Sequence, residues 1–326
     1  MLLYYTKHPL DNFGDELNEW IWPRLLSRPL SECLDDDTVL LGIGSILNHR
    51  VPRRPRKKIV LGSGIGYGSL PAVSRDWSFL CVRGPRSREA LGLPADTPLG
   101  DSAVLVRELF SPSGGPDIGA SFMPHVRTAF HGDWRKLCES VDMNYIDPTG
   151  TVEDVTGMIA RSRLLVSESL HGTVVADTLR VPWIAVRTSD DVLEIKWHDW
   201  AESVGLRHSF VDLPGIAHLH VPRVLKWTTS KGVRLVARIV RQRSARRAMF
   251  RWNERWGWTP GAGLEDLRRR LVALRSSGLE RLSNGRTFEA MYKGVSGAMR
   301  RLREGMEPGP FQGFGALGVD TLPNRD

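Results

Sequence analysis

Cysteine is scarce, with three in 326 residues, at Cys33, Cys81 and Cys138. They lie far apart, form no C-x-x-C pair and no metal-ligand spacing, and their odd number rules out a closed disulfide framework. A reducing, cytoplasmic setting is expected. No apolar run approaches the roughly 20 residues of a membrane-spanning helix. The opening MLLYYTKHPLDNFGDE has neither a basic n-region nor a long apolar h-region, so it reads as a first strand rather than a secretory signal. The glycine turns at 42–45 and 62–68 are neither G-x-G-x-x-G nor a P-loop with its lysine, so NAD, FAD and ATP are not implied. No metal and no resident cofactor is expected. What remains is ordinary for a globular protein, 41% hydrophobic and 25% charged.

The net charge of +8 is unevenly placed. Residues 1–215 carry 23 Lys+Arg against 28 Asp+Glu, and residues 216–326 carry 22 against 9. All the excess basicity therefore sits in the last third, which points to an anionic partner for that region.

The most informative stretch runs from Leu164 to Thr188. Leu164, Leu165 and Val166 form a short apolar run, as in a buried strand. Ser167, Glu168 and Ser169 interrupt it with cap-forming side chains. Val174, Val175 and Leu179 recur at helical spacing until Val181-Pro182 stops the helix. Trp183 to Val186 is the next strand. Strand, turn, helix and strand make the repeating unit of a parallel α/β sheet, whose ligands sit beyond the carboxyl ends of the strands. Glu168, Ser169 and His171 fall there, at a helix N-terminus suited to an anion. Ser and Glu serving only as helix caps, with a hydrogen-bonded structural His171, account for the same residues without any function.

Elsewhere the pattern is similar. Strands are expected at Leu2–Tyr5, Thr38–Leu41, Lys58–Leu61, Phe79–Arg83, Ile118–Met123 and Asn144–Ile146. A helix is expected from about Asp15, ended or bent by Pro23. Asn12, Gly14 and Asp15 lie at its start, as a ligand site or simply as cap and turn. The glycine turns 42–45 and 62–68 permit close backbone approach. Arg83, where a strand meets a turn, suits a two-pronged grip on carboxylate or phosphate. Arg50 to Lys58 reads as a solvated basic loop. Ser111 to Pro116 is the clearest linker, and Thr151 to Asp154 opens a helix like a capping box.

These signals predict an α/β protein of two Rossmann-like halves around a cleft, residues 1–112 and 116–213. A basic helical extension, 214–304, and a Gly/Pro-rich disordered tail, 305–326, follow. Within the extension, Val233, Val236 and Val240 suggest a helix, and Trp252, Trp256 and Trp258 alternate with Arg251 and Arg255. Leu264, Leu267, Leu271 and Leu274 form an apolar seam. Residues 222–282 could lie on anionic lipid, with Trp at headgroup level, or pack on the body with their arginines solvated.

Taken together the chain resembles the polysaccharide pyruvyl transferase family. The carrying features are Asn12-Phe13-Gly14-Asp15-Glu16, Gly62-Ser63-Gly64-Ile65-Gly66, Val82-Arg83-Gly84-Pro85-Arg86-Ser87, Gly100-Asp101, Pro124-His125, Ser169-Leu170-His171-Gly172 and Lys196-Trp197. Their order matches over about residues 1–210. The resemblance implies a GT-B-like pair of Rossmann-like domains. It implies phosphoenolpyruvate as donor and co-substrate, and a lipid-linked oligosaccharide as acceptor. A sugar of that acceptor receives pyruvate as a cyclic ketal during exopolysaccharide synthesis, at the inner face of the cytoplasmic membrane. Family members often read Arg-Leu-His-Gly where this chain has Ser169-Leu170-His171-Gly172, so Arg83, Arg187 or Lys196 would carry the donor's charge.

On this reading His171 and Glu168 are catalytic, His171 meeting the phosphate and Glu168 moving a proton. Arg83, Ser169, Gly172, Arg187 and Lys196 bind the donor. Asn12, Asp15 and His125 face the acceptor. Two other functions are compatible with the residues: a GT-B nucleotide-sugar glycosyltransferase, and a non-catalytic nucleic-acid-binding protein using the basic region, though no nucleic-acid motif supports the latter.

Overall fold

The computed structural model describes residues 1–6, 11–26, 37–112, 114–130, 133–189, 192–215 and 263–305. The expected helix around Val233–Val240, the Trp252–Trp258 cluster and the tail from 306 lie outside the described residues.

Two fully parallel sheets form the frame. The first has β1 (Leu2–Tyr4), β2 (Thr38–Leu41), β3 (Lys57–Leu61) and β4 (Trp77–Cys81), in that spatial order. The second has β5 (Ile118–Met123), β6 (Asn144–Tyr145), β7 (Ser162–Ser167), β8 (Trp183–Arg187) and β9 (Val211–Asp212), ordered β6-β5-β7-β8-β9. β2 is buried at all four positions, as expected of a parallel strand covered on both faces. The period-2 alternation sorts its side chains: Leu40 with Ile59 and Leu61 faces the largest core, Val39 and Leu41 with Val60 the opposite face.

The helices are α1 (Phe13–Leu26), α2 (Pro85–Ala90), α3 (Val106–Leu109), α4 (Trp134–Ser140), α5 (Val152–Arg161), α6 (Leu170–Thr178), α7 (Glu194–Ser203), α8 (Leu264–Leu274) and α9 (Gly285–Glu304). Pro23 neither ends nor visibly interrupts α1, which continues to Leu26. The rest of that helix is held by Phe13, Leu17, Ile21, Trp22 and Leu25 in the core, enough to outweigh one missing hydrogen bond. No helix joins β2 to β3 or β3 to β4. Lys58, at the end of the expected solvated loop, is buried in β3, its Nζ donating to the Pro55 carbonyl.

The C-terminal helices supply the missing cover. Phe288, Met291, Val295, Ala298, Met299 and Leu302 of α9 join the core against β3 and β4. Leu267, Leu271 and Leu274 of α8 pack with Phe122, Trp134, Val166 and Ile184 on the second sheet. Trp183 and Arg281 exchange backbone hydrogen bonds of 3.0 and 2.7 Å between them. This corrects the lipid-facing reading of the Leu264–Leu274 seam. Its leucines are 0–4% exposed at 267, 271 and 274, and the arginines occupy the outer face. Among the described residues no helix is long and apolar enough to cross a membrane.

One core spans the seam between the sheets. It joins α1 side chains to Val155 and Ile159 of α5 and to Leu170 and Val174 of α6. The Phe13 backbone N–H, at the start of α1, bonds to the Pro148 carbonyl beyond β6 at 2.8 Å.

Candidate active site

The expected site residues lie at or beyond the carboxyl ends of strands, in either sheet, which is where parallel sheets present ligand sites. The structure divides them into two sets, one saturated with partners and one not.

Arg83 belongs to the saturated set. It follows β4 and is fully buried, with Nε donating to Asp199 Oδ2 at 3.1 Å, one Nη to Ser45 Oγ and the other to the Ile65 carbonyl, both at 2.6 Å. Asp199, on α7, also accepts from the Ser87 backbone N–H at 2.9 Å and the Ser87 hydroxyl at 2.5 Å. Gly84 is required beside it, because a Cβ there would lie 1.7 Å from the Asp199 carbonyl oxygen. The motif 82–87 thus clamps the first half to α7 of the second. Arg187 is tied to Asp212 and Glu194.

Glu168 is likewise bracketed and fully buried. Oε1 accepts from the Thr188 N–H (2.6 Å) and hydroxyl (2.7 Å), and Oε2 from the His125 N–H (3.1 Å). Burial pushes its carboxyl up, while bonds from Thr188, His125 and Thr128 draw it back. All of these bonds tie Glu168 to its neighbouring loops. It pins the loops after β5 and β8 to the β7–α6 turn, and through its N–H bond it fixes where His125 stands. Ser169 is the N-cap of α6, accepting from the Gly172 N–H at 3.2 Å. Gly172 gives α6 room against β5, since a Cβ would meet Met123 Sδ at 2.5 Å.

The second set is His171, Asp15, Asn12 and Lys196, and these the structure does bring together. His171 stands in the first turn of α6, its side chain 14% exposed and Nε2 3.6 Å from Asp101 Oδ2. Its ring packs against Gly14, where a Cβ would fall 2.0 Å from Nδ1. One residue on, Asp15 is half-buried and accepts from Asn12 Nδ2 at 2.9 Å. Burial raises its pKa, and Asn12, His171 and Lys196 oppose the rise.

Lys196, on α7, makes no hydrogen bond or ion pair among the described residues. Burial first, then the positive charges of Arg83 and Arg127, lower it to about 8, with Asp15 acting the other way. Arg127, on the loop after β5, is exposed, and among the described residues its guanidinium has no partner; its backbone N–H donates to His125 Nδ1 at 3.3 Å. The Tyr67 hydroxyl shares the same field: burial raises its pKa, against Arg127 and Arg83 and with Asp15. The site therefore holds two unpartnered cations, a half-buried acid, an imidazole and a helix N-terminus. Such a group can receive a compact, multiply charged anion and move a proton beside it.

Asp101, Arg127 and Tyr67 escape a reading by motif role. Gly100-Asp101 is visible as a pair, but its approach to His171 is not. Arg127 has no signal beyond lying shortly after Pro124-His125.

Against this geometry the sequence comparisons are decisive. The family model for polysaccharide pyruvyl transferase matches residues 2–190. The chain belongs to the polysaccharide pyruvyl transferase family. It is also 40% identical over 208 residues to the succinoglycan biosynthesis protein ExoV of Rhizobium meliloti (strain 1021), a match taking in 63% of this chain and 65% of that relative. The chain therefore matches about two-thirds of the relative's length. The pyruvyl transferase match includes Asn12, Asp15, Arg83, Asp101, Arg127 and His171 but stops six residues before Lys196. The α7 cation and both helices that complete the layers thus lie beyond it.

Proposed function

We propose that this protein transfers pyruvate from phosphoenolpyruvate to a sugar of a lipid-linked oligosaccharide, forming a cyclic ketal during exopolysaccharide synthesis, at the cytoplasmic face of the membrane. Family membership and the similarity to a succinoglycan biosynthesis protein support the pathway. The observation that carries the donor is Lys196: a cation without a partner among the described residues, held near about 8 by burial, in one field with Asp15 and Arg127. The paired parallel sheets and the return of α9 to the first sheet support a GT-B-like division near residues 112–116.

The chemistry requires little more than these groups. Phosphoenolpyruvate gains a proton at its methylene carbon. One sugar oxygen bonds to C2, the C2–O bond to phosphate breaks with its electron pair, and a second sugar oxygen closes the ring. The two hydroxyls release two protons; one balances the new methyl group and the other leaves with phosphate. Arg127 and Lys196 hold the donor's carboxylate and phosphate, and the N-terminus of α6 adds free N–H groups. His171 meets the phosphate. Asp15, its pKa raised by burial, exchanges protons between the acceptor hydroxyl and the methylene carbon, with Asn12 orienting it. Each proton-transfer group contributes on the order of 10²–10⁴-fold. Arg83, Arg187 and Glu168 shape the site from behind. No step calls for a metal.

Thermal stability tests the donor. A ligand bound to the native state alone raises the melting temperature. Phosphoenolpyruvate is expected to raise it more than inorganic phosphate does, and a UDP-sugar is expected to leave it unchanged. A shift with the UDP-sugar alone would move the assignment to glycosyl transfer.

A further inference from the structure

Two buried polar atoms in the site face each other without a hydrogen bond. Asp101 Oδ2 and His171 Nε2 are both buried and unsatisfied, 3.6 Å apart. Asp101 itself is firmly placed. It caps the short turn Ser102–Leu105, Oδ1 accepting from the Ala103 N–H at 2.9 Å, and its residue is 0% exposed. Gly100 before it is pressed by Val295 and Met291 of α9. A buried carboxylate oxygen without a donor is costly, so a carboxylate this rigid selects the donor nearest to it. That donor can only be a proton on Nε2. Closing the gap to the usual 2.7–3.2 Å takes a movement of roughly half an ångström, and such contacts in ligand-free enzymes often tighten on substrate binding.

The other ring nitrogen is oppositely placed. Nδ1 is not among the buried unsatisfied atoms, and it lies beside Gly14, in the space that any side chain there would fill. We propose that Asp101 is the positioning residue of His171: it takes the Nε2 proton, fixes the Nε2–H tautomer and leaves Nδ1, across the bare surface of Gly14, as the nitrogen that meets the substrate. Three motifs from two sheets then serve one atom. Gly100-Asp101 sets the tautomer, Leu170-His171 carries the ring, and Phe13-Gly14 makes room for the ring at Nδ1. Asp15 and Lys196 are charged groups in this neighbourhood, with Arg83 and Arg127 acting on Lys196. The proposal rests on the reading of His171 as the group at the donor, but its test does not.

The test is imidazole-nitrogen NMR of the ligand-free full-length protein at a pH of about 8.5, well above the ordinary imidazole value of about 6.5. A His171→Asn spectrum assigns the signal among the nine histidines. Wild-type His171 is expected to carry its proton on Nε2. In Asp101→Asn, whose amide can donate to Nε2, the ring is expected to shift toward the Nδ1–H form. Turnover of Asp101→Asn with phosphoenolpyruvate is expected to fall in kcat with little change in KM. A wild-type ring protonated on Nδ1 overturns the proposal. So does an Asp101→Asn protein that folds and keeps the wild-type tautomer. If phosphoenolpyruvate fails to bind while the Nε2–H tautomer is found, the donor reading fails and the pairing stands.

Discussion

The clamp at Arg83 and the cleft at Lys196 are built from the same kinds of residue and differ in one respect. In the clamp every buried charge has its partners: Arg83 reaches Asp199, Ser45 and Ile65, and Asp199 also holds Ser87. In the cleft, Lys196 has none among the described residues, and His171 and Asp101 stop just short of each other. Burying a charge is costly unless it is paired. A saturated cluster is therefore architecture, and an unsaturated one is held ready for a ligand by the rest of the fold. Both clusters connect the two halves, so the cleft inherits its geometry from the clamp.

That contrast can be broken at several points. The largest stability effect is expected at the clamp. Asp199→Ala strands Arg83 in the interior and should cost roughly 3–5 kcal/mol, as for other broken buried pairs, read by denaturant unfolding. Replacing His171 by Ala should do the reverse, losing on the order of 10²–10⁴-fold in turnover with little change in the unfolding midpoint. Equal losses of stability from the two substitutions would erase the distinction.

Glu168→Gln comes next. Its amide nitrogen would face an N–H donor, leaving buried groups unsatisfied at about 1–3 kcal/mol. If Glu168 is the bracket described above, the folded variant keeps its dependence of kcat on pH; loss of one limb of that profile would return Glu168 to proton transfer.

A smaller effect is expected from titrating Lys196. It is cationic below about 8 and neutral above. Affinity for phosphoenolpyruvate should therefore weaken as pH rises above about 8 and level off above the higher value that the bound anion gives Lys196 in the complex. Lys196→Arg should remove that weakening, and calorimetric titration across pH checks it. His208 gives an effect confined to acid pH: it is packed against Trp197, Phe210 and His198 and lowered to about 4, chiefly by burial and then by His198. The unfolded chain takes up a proton near the ordinary value while the folded one does not. Stability is thus fully present above about 6.5 and falls as the pH drops toward about 4. His208→Phe should flatten that fall in thermal melts.

Local structure was largely legible in the sequence, because local chemistry determines it. The Ser162–Ser167 strand and the α6 helix follow from apolar spacing and cap-forming residues. Among the site residues, His171 with Asp15 and Lys196 was legible through motifs. Roles that depend on pairing over long distances along the chain were not. An arginine at a strand end suits a ligand and a buried carboxylate equally, and only Asp199, 116 residues away, decides between them. A leucine seam on a basic helix has the same spacing whether it meets lipid or a sheet. The cover of β3 and β4 by α9 is a further case, since nothing near those strands in sequence announces a helix over 200 residues later.

The most direct measurement is acceptor-dependent release of phosphate from phosphoenolpyruvate, with a lipid-linked oligosaccharide extract as acceptor and mass analysis of the product. The account predicts release only with acceptor present, a pyruvate ketal on the recovered sugar, and loss of both in His171→Ala. Consumption of a UDP-sugar by the same extract, with phosphoenolpyruvate left intact, would contradict it.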